Sequence, residues 1–126
     1  MLPREQIMVV DDDAGIRATL AEVLDEEGYD VVQAQDGSQA LGLLAAGEPS
    51  AIILDLNMPV MDGPTFYRAL RARGILVPVI ILSAINAVRA ARELGATAAI
   101  NKPFDIDGLL ATLGAVLHTK GNAPGI

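Results

Sequence analysis

Five short apolar runs, at 7–10, 31–34, 51–54, 79–82 and 98–100, recur through the chain. None alternates polar with apolar residues as a half-solvated strand must, so each predicts a strand covered on both faces. Between the runs, apolar residues return at helical spacing: Ile16, Leu20, Val23 and Leu24; Leu41 and Leu44; Phe66 and Leu70; Ala87, Ala91 and Leu94. The last such segment carries Ile106, Leu109, Leu110, Leu113 and Leu117 on one stripe. Gly28, Gly47, Gly74 and Gly95 fall where these segments stop, and Asp13, Ser38 and Asp105 stand where helices should start, as C-terminal and N-terminal caps do. The pattern is (βα)₅. Strict alternation predicts an α/β fold, a doubly wound five-stranded parallel sheet with right-handed crossovers and helices on both faces.

In such a sheet, ligands gather beyond the carboxyl ends of the strands. Three polar segments fall there: Asp11-Asp12-Asp13, Asp55-Leu56-Asn57-Met58-Pro59 and Asn101-Lys102-Pro103-Phe104. If the first and third strands are neighbours, Asp11, Asp12 and Asp55 meet. Carboxylates so gathered repel one another unless a cation neutralises them, and an all-oxygen cluster suits Mg²⁺. On this reading Asp12 and Asp55 supply direct oxygens, the backbone carbonyl of Asn57 supplies another, and Asp11 holds a coordinated water. One Asp55 oxygen stays free to attack phosphorus in line, so the protein's work is positioning and electrostatics. The Lys102 ammonium is placed to pair with a phosphoryl oxygen on Asp55 or with the free carboxylate, and Ser83, closing the fourth strand, to donate its hydroxyl. Taken singly, each residue is a routine turn or cap residue, which is the reading preferred for Asp13. For the set, coincidence is the weaker account.

The rest of the composition narrows the function. A chain of 126 residues is one domain's length. With 16 acidic against 9 basic residues and 3% aromatics, it is a poor match for a phosphate backbone or for base stacking, so no direct nucleic-acid binding is expected. There is no cysteine, which excludes disulfides, thiolate zinc and cysteine nucleophiles. The first six residues lack the build of a signal peptide, and no apolar run nears the ~20 residues of a membrane span, so a cytoplasmic location is expected. The domain is expected over 1–118, with 119–126 a flexible tail or the start of a linker. His118, at the end of the last helix, reads as a solvated side chain. Tyr67, Arg68 and Arg71 read as an exposed face of the third helix.

These residues together resemble the receiver domain of two-component response regulators, over roughly residues 7–117. The acidic pair is matched by Asp11 and Asp12, the phosphoacceptor by Asp55, the hydroxyl residue by Ser83 and the lysine by Lys102. Met58-Pro59, Asp62-Gly63 and Lys102-Pro103-Phe104 are also similar to the family's motifs, in which the Lys-Pro bond is commonly cis. The resemblance implies a flavodoxin-like strand order 2-1-3-4-5. It further implies Mg²⁺-dependent transfer of a phosphoryl group from a sensor histidine kinase or phosphotransfer protein, a switched surface for an output partner, and later loss of the phosphate. Such a module modifies only itself and is not an enzyme acting on other substrates. Two departures stand out: the β4–α4 region between Ser83 and Lys102 is about one helical turn short, and Ala99 occupies the position of the usual aromatic switch residue. The segment 85–92 is therefore expected to move as a backbone unit on activation. A haloacid-dehalogenase-type phosphatase is the competing enzyme reading, from the 53–57 segment, but that superfamily places its nucleophile early and its other acids downstream. A degenerate receiver acting only as a binding surface is the third reading, and the intact set of five residues argues against it.

Overall fold

Each apolar run forms a strand within one residue of its expected ends. The computed structural model describes residues 4–121, with side chains through His118. The elements in order are β1 (Gln6–Val10), α1 (Ala14–Glu26), β2 (Asp30–Ala34), α2 (Gly37–Leu44), β3 (Ala51–Asp55), α3 (Gly63–Ala72), β4 (Val79–Ser83), α4 (Ala87–Leu94), β5 (Ala98–Asn101) and α5 (Ile106–Gly121). The strands pair in parallel in the order β2-β1-β3-β4-β5. Two-sided cover is complete only for β1, β3 and β4. At the sheet edges, Val31 and Val32 of β2 and Ala98, Ala99 and Ile100 of β5 stay half-buried, because an edge strand lacks a neighbour on one side.

Side chains alternate across the sheet and build two cores. On one face Met8, Val10, Ile52, Leu54, Val79 and Ile81 pack with Leu41, Phe66, Leu70, Ala87 and Ala91 of α2, α3 and α4. On the other, Ile7, Val9, Ile53, Ile80 and Leu82 pack with Leu20 and Leu24 of α1 and Leu109 and Leu113 of α5.

Asp13 caps α1, its carboxylate accepting from the Ile16 N–H at 3.1 Å, and Asp105 caps α5 through the Gly108 N–H. Ser38 does not cap α2. The helix begins earlier, at Gly37, and Asp36 accepts from the Gln39 N–H at 2.8 Å. Gly37 opens the helix against α3: a Cβ there would lie 2.9 Å from Met61 and Phe66, so the contact is made only without a side chain.

Helix α5 continues to Gly121, past the boundary expected at 118, and the rest of the expected tail, 122–126, lies outside the described residues. One expectation for α3 is revised. Tyr67 is buried, not exposed. Arg71 is half-buried against it, its guanidinium 4.7 Å from the ring centroid, with Nε donating to the Tyr67 hydroxyl and Nη1 to the Ile75 and Val77 carbonyls. An arginine that satisfies carbonyls of the loop following its own helix is anchored there, and its ring partner is buried with it. Arg68 is exposed as expected, and so is His118.

Candidate functional site

Sheet order and register assemble the site. Val10 pairs with Leu54, so Asp11 and Asp55 leave adjacent strands side by side. Ser83 pairs with Asn101 across β4 and β5, and the Lys102 N–H donates to the Ser83 carbonyl at 2.8 Å, which brings the lysine back over the sheet edge. There Lys102 Nζ lies 3.1 Å from Asp11 Oδ2 and 3.2 Å from Asp55 Oδ1. Asp11 and Asp55 are buried, whereas Asp12 is exposed. One carboxylate oxygen from each of the three aspartates lies within 4.8 Å of the others. The cluster offers only oxygen donors, one of them solvent-facing, which fits a hard divalent cation that keeps several waters.

Burial, and next the negative charge of Asp11, hold the Asp55 carboxyl above the ordinary carboxylate range, against the opposing pull of Lys102 and the Asn57 backbone N–H. For Lys102, burial alone acts to lower the pKa. Hydrogen bonds and charges from Asp11 and Asp55 outweigh it, so the ammonium holds its proton more firmly than a free lysine. The site is thus short of positive charge.

Asn57 stands two residues past Asp55 on the loop leaving β3, where its backbone favours the ionised Asp55 carboxylate. Ser83 is buried beside it, with its hydroxyl turned to its own loop: Oγ donates to the Ile85 carbonyl at 3.1 Å and accepts from the Ile85 N–H at 3.2 Å. The structure therefore brings together Asp11, Asp12, Asp55 and Lys102, and places Ser83 at the adjacent strand end with its hydroxyl engaged by Ile85. The Lys102–Pro103 peptide is cis. Ala99 is half-buried on β5 and packs toward the core beneath α4. An apolar hollow of about 400 Å³, lined by Ile16, Ala84, Lys102, Pro103 and Phe104, opens beside the lysine.

Two contributors were given no role from the sequence. Gly63, the first residue of α3, lies so close under the site that a Cβ there would be 2.7 Å from the Asp55 carbonyl oxygen and from Leu56 Cα. Its place after Asp62 in the Asp-Gly pair was a signal that a side chain is unwelcome. Arg17, on α1, donates from Nη1 to the Asp11 carbonyl at 2.6 Å. In sequence it is one more helix charge, five residues beyond Asp12, with nothing to mark its direction.

Comparison with known proteins agrees with this geometry. The family model for the response regulator receiver domain matches residues 7–114. The chain is 41% identical over 116 residues to the response regulator MprA of Mycolicibacterium vanbaalenii, covering 90% of this chain and 50% of that protein. It is 36% identical over 121 residues to sporulation initiation phosphotransferase F of Bacillus subtilis, covering 94% of this chain and 98% of that one. It thus spans about half the length of MprA but nearly all of the Bacillus protein. Among solved structures, the receiver domain of the Francisella response regulator 1452 superposes with a TM-score of 0.86 at 32% identity, covering 93% of this chain and 99% of that one. Vibrio cholerae chemotaxis protein CheY4 gives 0.83 at 33% identity, covering 90% and 99%. These likenesses displace the phosphatase reading. A match running from the first strand into the last helix, on a sheet with the implied strand order, makes this chain a member of the response regulator receiver domain family.

Proposed function

We propose that Asp55 is the phosphoacceptor of this signalling module, with Asp11, Asp12, Asp55 and the Asn57 carbonyl holding Mg²⁺, and Lys102 and Ser83 contacting the transferred group. The observation that carries the reading is the shared ammonium: Lys102 lies within 3.2 Å of both buried carboxylates while Asp12 stays open to solvent. Bound Mg²⁺ supplies the positive charge that the transferring phosphoryl group requires. Asp55 attacks phosphorus through one carboxylate oxygen, the phosphorus–nitrogen bond of a donor phosphohistidine breaks, and the imidazole leaves with that electron pair. Lys102, already aimed at Asp55, passes from carboxylate to phosphoryl oxygen with little movement. Ser83 must first give up its bonds to Ile85 before its hydroxyl serves the phosphate, and that coupling pulls on the loop into α4. Water later cleaves the acyl phosphate and restores Asp55.

The phosphoryl donor is a sensor histidine kinase or phosphotransfer protein, and the apolar hollow beside Lys102 offers it a contact next to the reacting atoms. The output partner is a protein that reads the altered surface. A cytoplasmic location goes with that role, and among the described residues no helix is long and apolar enough to cross a membrane.

Intact-mass measurement after incubation with acetyl phosphate and Mg²⁺ tests the assignment. The wild type should gain one phosphate, and Asp55→Asn should gain none. Labelling should stop in excess EDTA. Phosphate on Ser83 or His118, or undiminished labelling without metal, sinks the mechanism. Turnover of a small phosphate ester would instead favour a phosphatase.

A further inference from the structure

The polar groups of Asp11 are all held, and one of the holders is a charged side chain with no place in the chemistry above. Its backbone N–H donates to the Ala34 carbonyl at 3.1 Å. Its Oδ1 accepts from the Asp13 N–H at 2.9 Å, and its Oδ2 from Lys102 at 3.1 Å. The fourth group, its carbonyl oxygen, is taken by Arg17 Nη1 at 2.6 Å. That carbonyl belongs to the peptide joining Asp11 to Asp12. Asp12 is exposed, and among the described residues its carboxylate has no hydrogen-bond partner. The direction in which Asp12 leaves the strand is thus set by a peptide plane that Arg17 pins from α1.

We infer that Arg17 is a positioning residue: it fixes the Asp11–Asp12 peptide so that the Asp12 carboxylate stays aimed into the cluster with Asp11 and Asp55. This rests on the metal reading given above. Groups that orient ligands without touching the ion typically change metal affinity by about 10- to 100-fold when removed. A competing role is separable by sign. If Arg17 acted only through its charge, it would repel a cation, and its removal would tighten binding; if it acts by position, removal weakens binding.

The test is Mg²⁺ titration of the whole chain, followed by calorimetry and by amide NMR shifts, for the wild type, Arg17→Gln and Arg17→Lys. Glutamine stays polar and helix-compatible but is too short to reach the carbonyl; lysine keeps the charge without the planar fork. The expected result is a dissociation constant about 10-fold higher for Arg17→Gln, with an unchanged melting temperature. In the metal-free variant, backbone order parameters should drop at Asp12 and Asp13, between β1 and α1, and nowhere in the sheet. Equal or tighter Mg²⁺ binding by Arg17→Gln overturns the inference. Should Arg17→Gln fail to fold, Arg17→Lys decides: weaker binding than the wild type supports positioning, and equal or tighter binding refutes it. Absence of Mg²⁺ binding by the wild type would refute the metal reading itself, a result distinct from a variant that binds as well as its parent.

Discussion

Lys102 faces two buried carboxylates with a single charge, and the imbalance has a thermodynamic sign. Folding raises the Asp55 pKa, so the folded protein binds that proton more tightly than the unfolded chain does. Stability contributed at this residue therefore falls as pH rises from the ordinary carboxylate value through the raised one, and the deficit persists at neutral pH. In metal-free protein, Asp55→Asn should accordingly raise the unfolding midpoint in urea at pH 7, and a lower midpoint would contradict the argument. Carboxyl NMR titration should place Asp55 above the ordinary range, and Lys102→Met, by removing an opposing pull, should move it higher still. Lys102 slopes the same way, from its own charge: its folded pKa is raised, so its pairing stabilises the protein below the ordinary lysine value and is lost as pH climbs through the raised one. At this scale the sequence was legible where polar residues open directly after an apolar run, as for Asp11, Asp55 and the Asn101-Lys102 pair. It was not legible where direction depends on a loop, which is why the Ser83 hydroxyl bonded to Ile85 and the cap supplied by Asp36 emerge only in three dimensions.

Among the helices, α4 has the smallest fully buried side chains. Its eight residues bury only Ala87 and Ala91, and its N-cap, Asn86, adopts a left-handed conformation with no side-chain cap bond. Two alanines remove little apolar surface from water, so the helix should open locally at low free energy. Hydrogen exchange with and without beryllofluoride should show the largest change over 85–92. Protection there equal to the sheet's in both states would move the switch to another face. Helix α3 is the opposite case. Gly63→Ala would press a methyl group onto the Asp55 carbonyl and Leu56 backbone, costing about 1–3 kcal/mol by overpacking. Because the displaced backbone carries Asp55, phosphorylation should slow in the same variant. Denaturant melts and labelling rates read the two effects, and a neutral substitution would show that the loop yields freely. The shortened stretch between Ser83 and Lys102 pointed to α4 as the segment that moves, but no periodicity reveals that Gly63 sits against a strand end.

For the molecule as a whole, strand positions were readable from hydrophobic runs, since burial on both faces leaves a plain mark. Strand neighbours were not. Periodicity says nothing about which strand lies beside which, and the order 2-1-3-4-5 came through family resemblance before register showed Asp11 beside Asp55. The same blindness hid the half-buried edges β2 and β5. The central strands separate the two cores, and that separation acts on energies as a wall. Ile52 and Ile53 are covalent neighbours, yet the first is buried among α2, α3 and α4 and the second against α1 and α5. Ile→Val at either site should cost about 0.5–1.5 kcal/mol. With no packing partners in common, the two losses should add to within about 0.5 kcal/mol in a double-mutant cycle, although the residues share a peptide bond. A larger coupling would mean that strain passes through the backbone of β3, and each layer of this domain would then no longer be free to change its packing independently of the other.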